Sequence, residues 1–167
     1  MTDRLEQLWA SWRGEYVTGV AGRANPVGGC ILCGVLDVRH EHPDRLVHVG
    51  ERAGVVLNAF PYTSGHVMVL PFGHHARLAE LDTATKSEVF DLVDRSVAAI
   101  EVAYSPHGVN FGANLGEGSG AGIPEHLHIH VLPRWTGDTN FMTTIGGARV
   151  IPEDLDSTLG RLRDAFV

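Results

Sequence analysis

Three histidines, His126, His128 and His130, stand at alternate positions in the stretch EHLHIHVLPRW, residues 125–135, with Leu127, Ile129 and Val131 beside them. In a strand, alternate side chains share a face and lie ~6.6 Å apart. The aliphatic residues account for a core face, so the imidazole face must meet something polar. Imidazole titrates near neutrality, ligates metals and acts as a nucleophile through an unprotonated nitrogen. Three readings therefore fit the ribbon: rings satisfied by backbone or by one another, a zinc hydrolase site built from alternate histidines, or a nucleophilic or phosphate-binding site.

Other stretches carry possible chemistry. Cys30 and Cys33 form Cys-x-x-Cys in CILC, a spacing shared by metal sites, redox pairs and plain buried thiols. A redox pair would normally open a helix after a βαβ-type strand, and no such strand precedes it. Zinc needs two more ligands at ~2.0–2.3 Å, and histidine is the usual choice. The loop Gly116 to Gly122, GEGSGAG, directly precedes the ribbon. Its glycines, Gly120 and Gly122 among them, leave room for a ligand, its backbone N–H groups could form an anion nest, and Ser119 adds a hydroxyl. A flexible turn explains the same glycines. Arg134 is a candidate counter-charge, although an exposed arginine is usually only solvated.

The elements that must position these groups follow from periodicity. Leu5, Leu8, Trp9, Trp12 and Tyr16 predict an amphipathic helix over 3–16. Residues 19–29 are loop by Gly and Pro content. RLVHVG and GVVLNAF predict two strands joined by a turn at Gly50 to Gly54, and HVMVLPF a third, stopped by Pro71. Asp82, Thr83 or Thr85 can cap a long helix with Val89, Val93, Val97, Ile100 and Tyr104 as its buried stripe, ended by Pro106. GVNFGANL predicts a fourth strand closing on Asn114. The histidine ribbon is the fifth, ended by Pro133, and a last helix follows Pro152. Hairpin-like neighbours and one long helix between strands three and four predict an α+β domain with an antiparallel sheet.

The 167 residues suffice for one domain with a core, residues 1–167 as a single unit, and 44% apolar content describes a globular chain. No apolar run approaches the ~20 residues of a membrane span. A charged N-terminal stretch in place of an apolar one, and only two cysteines, predict a cytoplasmic location. A formal net charge of −7 argues against nonspecific nucleic-acid binding. A local cluster of donors can still hold a small phosphate ligand.

The run HLHIHVLPRW, with GVNFGANLGEGSGAG upstream and GDTNFM downstream, resembles the histidine triad (HIT) family of nucleotide hydrolases and transferases, in particular the diadenosine polyphosphate hydrolase and phosphorylase branch. The resemblance runs from Cys30 to Pro152. It sets off residues 1–20 as an N-terminal helical extension, 30–152 as the HIT core and 153–167 as a C-terminal helix. It implies a HIT-like fold, a five-stranded antiparallel sheet with one long helix and terminal helices, paired edge to edge into a homodimer. It implies that His128 attacks the α-phosphorus of an adenine nucleotide or dinucleotide, forming a nucleotidyl-histidine. His130 then donates to the phosphate oxygens or leaving group, and His66 supports the triad. Asn58 falls where the ribose is held and Asn114 where phosphate is contacted. Cys30, Cys33, His74 and His126 would hold a structural zinc, with His75 the substitute for His74. The chain departs from several branches by reading GIPEH before the first histidine, where Gln, Ser or Thr stands near the leaving group. A slow nucleotide-binding module and a metal-dependent hydrolase using the triad as ligands are the rival readings.

Overall fold

The computed structural model describes residues 29–37, 45–145 and 150–167; the predicted helix over 3–16 lies outside them. The elements are α1 (Ile31–Leu36), β1 (Leu46–Val49), β2 (Ala53–Leu57), β3 (Val67–Pro71), α2 (Thr83–Tyr104), β4 (Gly108–Gly112), β5 (Ile129–Arg134), α3 (Phe141–Thr144) and α4 (Leu155–Ala165). Short 3-10 turns fall at Leu78–Glu80 and Glu117–Ser119. No helix among the described residues is long and apolar enough to cross a membrane.

The five strands form one sheet in the order β1-β2-β3-β5-β4, every neighbour antiparallel. β2 and β3 are buried along their whole length, because the two faces of the sheet carry separate apolar clusters. Val55, Leu57, Val67 and Val69 point to one face, where α2 and α4 cover them with Val89, Leu92, Ile100, Leu159 and Leu162. Val56, Met68 and Leu70 point to the other, under Leu32 and Leu36 of α1. A period of two thus serves two clusters at once.

The long helix forms as its sequence predicts. The Asp82 carboxylate accepts from the Thr85 N–H at 2.7 Å and caps it. Val89, Val93 and Ile100 are buried, while Val97 and Tyr104 pack at the cluster's margin. Ser105, at φ 44°, turns the chain out before Pro106.

Three elements differ from expectation. Helix α1 is an unpredicted six-residue helix opening at the cysteine pair. β4 ends at Gly112, so Asn114 lies beyond the strand rather than at its end. β5 begins at Ile129, so His126 and His128 precede it and only His130 belongs to it. The cause is visible in the backbone: Leu127 N–H donates to His75 O at 2.6 Å, in the loop after β3, instead of to a strand partner. Pro133 lies inside β5, opposite Val109. The pairing with β3 ends at Val131, so Pro133 has a strand on one side only, where a missing N–H is tolerated.

Candidate functional site

The alternation survives although the regular strand does not. Leu127, Ile129 and Val131 enter the α2-side core, and the three imidazoles take other surroundings. His126 and His128 are almost wholly buried, and so is His66 at the start of β3.

Hydrogen bonds assign the protons of these rings. His128 Nδ1 lies 2.7 Å from His126 O, a carbonyl that can only accept. Nδ1 therefore carries the hydrogen and Nε2 the lone pair. Burial pushes the His128 pKa down, against the opposing effect of that hydrogen bond, so the ring stays neutral and nucleophilic. A second chain of bonds runs through His66. The Tyr62 backbone N–H donates to His66 Nδ1 at 3.1 Å, which puts the hydrogen of His66 on Nε2. His66 Nε2 lies 3.0 Å from His130 Nδ1 and donates to it. The proton of the neutral His130 ring is then on Nε2. The His128 and His130 rings meet edge to face at 5.0 Å between centroids. A nucleophilic nitrogen thus lies beside a ring prepared to donate.

Asn58 anchors this second chain. Its Oδ1 accepts from the Phe60 N–H at 2.9 Å, which fixes the amide, and its Nδ2 lies 3.3 Å from His66 Nδ1. Its backbone N–H also donates to His66 O at 3.0 Å.

His128 and His130 open onto a narrow cleft of about 120 Å³. Ile31, Leu32 and Val35 of α1 form one wall; Val56, Met68 and Ile123 face them. Asn58, Asn114, Gly120 and Gly122 supply the polar rim. A largely apolar lining with a few polar groups is the usual make-up of a small-molecule site. Gly120, at φ 81°, takes a left-handed conformation that glycine adopts without strain.

A second cluster gathers around Cys30, which precedes α1, and Cys33 within it. Cys33 Sγ is 3.4 Å from both His74 Nδ1 and His126 Nδ1, and Cys30 Sγ is 3.5 Å from His126 Nδ1. The four donor atoms lie within 4.8 Å of one another. Tetrahedral bonds of about 2.0–2.3 Å place donors roughly 3.3–3.8 Å apart, so three of the contacts already have the separation a zinc ion would impose. His126 Nε2 donates to Pro71 O at 3.0 Å, leaving the Nδ1 lone pair on the cluster side. Burial and the neighbouring Cys30 hold the Cys33 thiol above its ordinary pKa. A divalent cation would displace that proton.

Most of the expected residues converge. Asn58, Asn114, Gly120, Gly122, His128 and His130 share the cleft, with His66 behind His130. Cys30, Cys33, His74 and His126 share the cluster. The substitute, His75, instead faces Glu80 at 3.9 Å. Ser119 is turned away, its hydroxyl donating to Gly116 O at 2.6 Å within the 3-10 turn. Arg134 is paired with Asp138 at 2.6 and 2.9 Å and with Asn110 at 2.9 Å, outside the cleft lining. Among the described residues, the cationic residue of the cleft lining is Arg45, which carries no motif signal in the sequence. Tyr62 and the α1 residues were missed as well. PYTSG reads as a turn, and CILCGV is too short to signal a helix by periodicity.

Comparison with known proteins agrees with this arrangement. Among solved structures, the chain overlays a zinc-bound histidine triad family protein from Mycobacterium smegmatis with a TM-score of 0.67 at 22% identity, covering 83% of this chain and 93% of that one. The NitFhit protein of Caenorhabditis elegans overlays with a TM-score of 0.61 at 25% identity, covering 73% of this chain and 27% of that one. These overlaps define the class: the α+β fold of histidine triad proteins. A family profile described as HIT domain matches residues 39–137. An AP-4-A phosphorylase of Mycobacterium tuberculosis is 35% identical over 159 residues, 93% of this chain and 82% of the relative. The chain belongs to the HIT family, and its likeness to that phosphorylase supports a nucleotide-processing enzyme.

Proposed function

We propose that this protein transfers a nucleotidyl group from adenine dinucleoside polyphosphates through a covalent intermediate on His128. The observation that carries the reading is the proton assignment: His128 presents an Nε2 lone pair while His130, relayed from His66, presents an N–H. His128 Nε2 attacks the α-phosphorus, and the bond from that phosphorus to the bridging oxygen of the leaving polyphosphate breaks. The His130 Nε2–H donates to the departing oxygen or to the phosphoryl oxygens. An oxygen of the acceptor then attacks the nucleotidyl-histidine and returns the electron pair to Nε2. Likeness to the M. tuberculosis AP-4-A phosphorylase favours inorganic phosphate over water as acceptor. The base lies in the apolar slot, Asn58 toward the ribose, Asn114 and the Gly120–Gly122 loop toward the phosphates. Arg45 supplies the positive charge there.

The Cys30, Cys33, His74 and His126 donors fit zinc, two thiolates and two imidazole nitrogens being a closed structural set. That cation would tie α1 to the loop after β3 and takes no part in the chemistry. His128 and His130 are not in the cluster, which favours nucleophilic chemistry over a metal-dependent hydrolase. The edge strand β4, with Phe111 exposed, is the surface through which two sheets would join in a homodimer.

Product analysis tests the reading. Diadenosine tetraphosphate is incubated with the protein, with and without phosphate, beside a His128→Ala control. ADP plus ATP formed only with phosphate is the expected result, and AMP plus ATP would make water the acceptor. The variant should lose at least about 10³-fold in rate. Equal turnover by His128→Ala would overturn the mechanism.

A further inference from the structure

We propose that Cys30 and Cys33 form a redox switch on the nucleotide cleft: a peroxide joins their sulfurs in a disulfide, which removes both from the metal set and displaces one wall of the cleft. The inference rests on the function proposed above for the identity of the ligand alone.

The juxtaposition that carries it is covalent. In Cys30-Ile31-Leu32-Cys33 the outer pair supplies two of the four metal donors. The inner pair, Ile31 and Leu32, lines the cleft onto which His128 and His130 open. No residue separates the sulfurs from the wall, so a change at one is felt at the other.

The wall has little else to hold it. α1 has six residues and no side-chain cap at Cys30, and a helix this short is not stable by itself. Leu32 and Leu36 anchor it on Val56, Met68 and Leu70. Its first turn is tied down through the sulfurs, which lie 3.4 Å from His74 Nδ1 and 3.4 and 3.5 Å from His126 Nδ1.

A disulfide and a cation need the same two sulfurs. A thiolate donates an electron pair to a metal; a disulfide sulfur carries no charge to offer. The four donor atoms lie within 4.8 Å of one another, and residues three apart on a helical turn are neighbours, so rotation of the side chains brings sulfur to sulfur. Both cysteines are half-buried and His74 is exposed, which admits a small oxidant. One thiolate attacks a peroxide oxygen; the O–O bond breaks, giving a sulfenic acid and hydroxide. The second thiolate attacks the sulfenic sulfur, the S–S bond forms, and a second hydroxide leaves. The sulfurs lose two electrons, two protons turn the hydroxides into water, and the cation is released. The new bond draws both sulfurs away from His74 and His126. A dithiol returns the two electrons and restores the donors.

The test uses the full chain, reduced and loaded with zinc, then treated with hydrogen peroxide and quenched with catalase, below the melting transition of the metal-free protein. The chain has two cysteines, so thiol titration reads this pair alone. Both thiols should disappear, one zinc per chain should be released, and a non-reducing gel should show a single-chain species. The Kd for AMP in equilibrium dialysis should rise at least about tenfold, the effect of spoiling one side of an apolar pocket. KM for diadenosine tetraphosphate should follow, with kcat within about twofold, because His126 keeps its bond to Pro71 O and its carbonyl still holds His128. Hydrogen exchange over residues 31–36 should quicken. Dithiothreitol with zinc should reverse every change, which separates the switch from oxidation of Met68 in the cleft wall, since a sulfoxide needs its own reductase. Retained thiols, no zinc uptake by the reduced chain, a disulfide between chains, an unchanged Kd or an irreversible rise would each overturn the proposal. If the reduced chain binds no AMP, the proposed function fails, and exchange over residues 31–36 decides the switch separately. A reversible rise on oxidation supports it; no change overturns it.

Discussion

His126 and His128 are two residues apart, both buried, and both held below the ordinary histidine pKa chiefly by desolvation. They nevertheless carry opposite tautomers. His126 donates from Nε2 to Pro71 O and turns its Nδ1 lone pair toward two sulfurs. His128 donates from Nδ1 to His126 O and keeps its lone pair on Nε2. The difference teaches that neighbouring identical side chains are assigned their work by the carbonyl each one meets, which composition does not encode. One end of the ribbon joins a set of donors that fits a cation; the other presents an unprotonated nitrogen, the nucleophile of the proposed mechanism.

The comparison breaks most sharply at the relay. His66→Ala removes the donor to His130 Nδ1, so His130 no longer has its hydrogen directed to Nε2. We expect kcat to fall by roughly 10²-fold, the lower end for one proton-transfer group, with zinc content unchanged. Loss of zinc in that variant would show that the two ends are not independent.

The converse substitution is Cys33→Ser. Metal analysis should show zinc lost, and the melting temperature should fall by about 10 °C or more, as expected when a structural ion worth several kcal/mol leaves a domain of this size. Activity measured below the new melting transition should survive far better than in His66→Ala. Chelation of the wild-type protein should reproduce the shift, and an unchanged melting curve would remove the structural role of the cluster.

A smaller effect sharpens the nucleophilic end. Arg45→Ala removes the cation of the cleft from an exposed position, where screening limits its worth. KM should rise by about two- to fivefold, and the effect should fade as salt is raised. Arg134→Ala, whose guanidinium is engaged by Asp138 and Asn110, should leave KM unchanged.

The smallest effect belongs to a histidine outside both ends. His48 stacks on Phe166 at 4.6 Å, and burial, then Arg95, hold its pKa below 6.5. The unfolded chain binds this proton first, so the associated stability is present above about pH 6.5 and is lost as pH falls through the folded value. Denaturant melts of His48→Gln should show a slightly shallower loss of stability on acidification. An identical acid profile would assign that sensitivity to other groups.

Periodicity in the chain was enough for the strands and the long helix, since each depends on neighbours within a few residues; capping chemistry left Asp82, Thr83 and Thr85 open, and the structure uses Asp82. The triad and the metal ligands were legible as residue types, because imidazole and thiol pairs are scarce and their spacing is informative. Tertiary structure alone decided the rest. It drew His126 and His128 out of the regular strand by giving Leu127 N–H a partner in the loop after β3. It selected His74 over His75, turned Ser119 inward on its own turn, engaged Arg134 elsewhere and brought Arg45 and Tyr62 to the cleft. The physical reason is common to all of these. A side chain's partners, and hence its proton and charge, are set by contacts between residues far apart in sequence, and those contacts exist only once the sheet has closed on its two clusters.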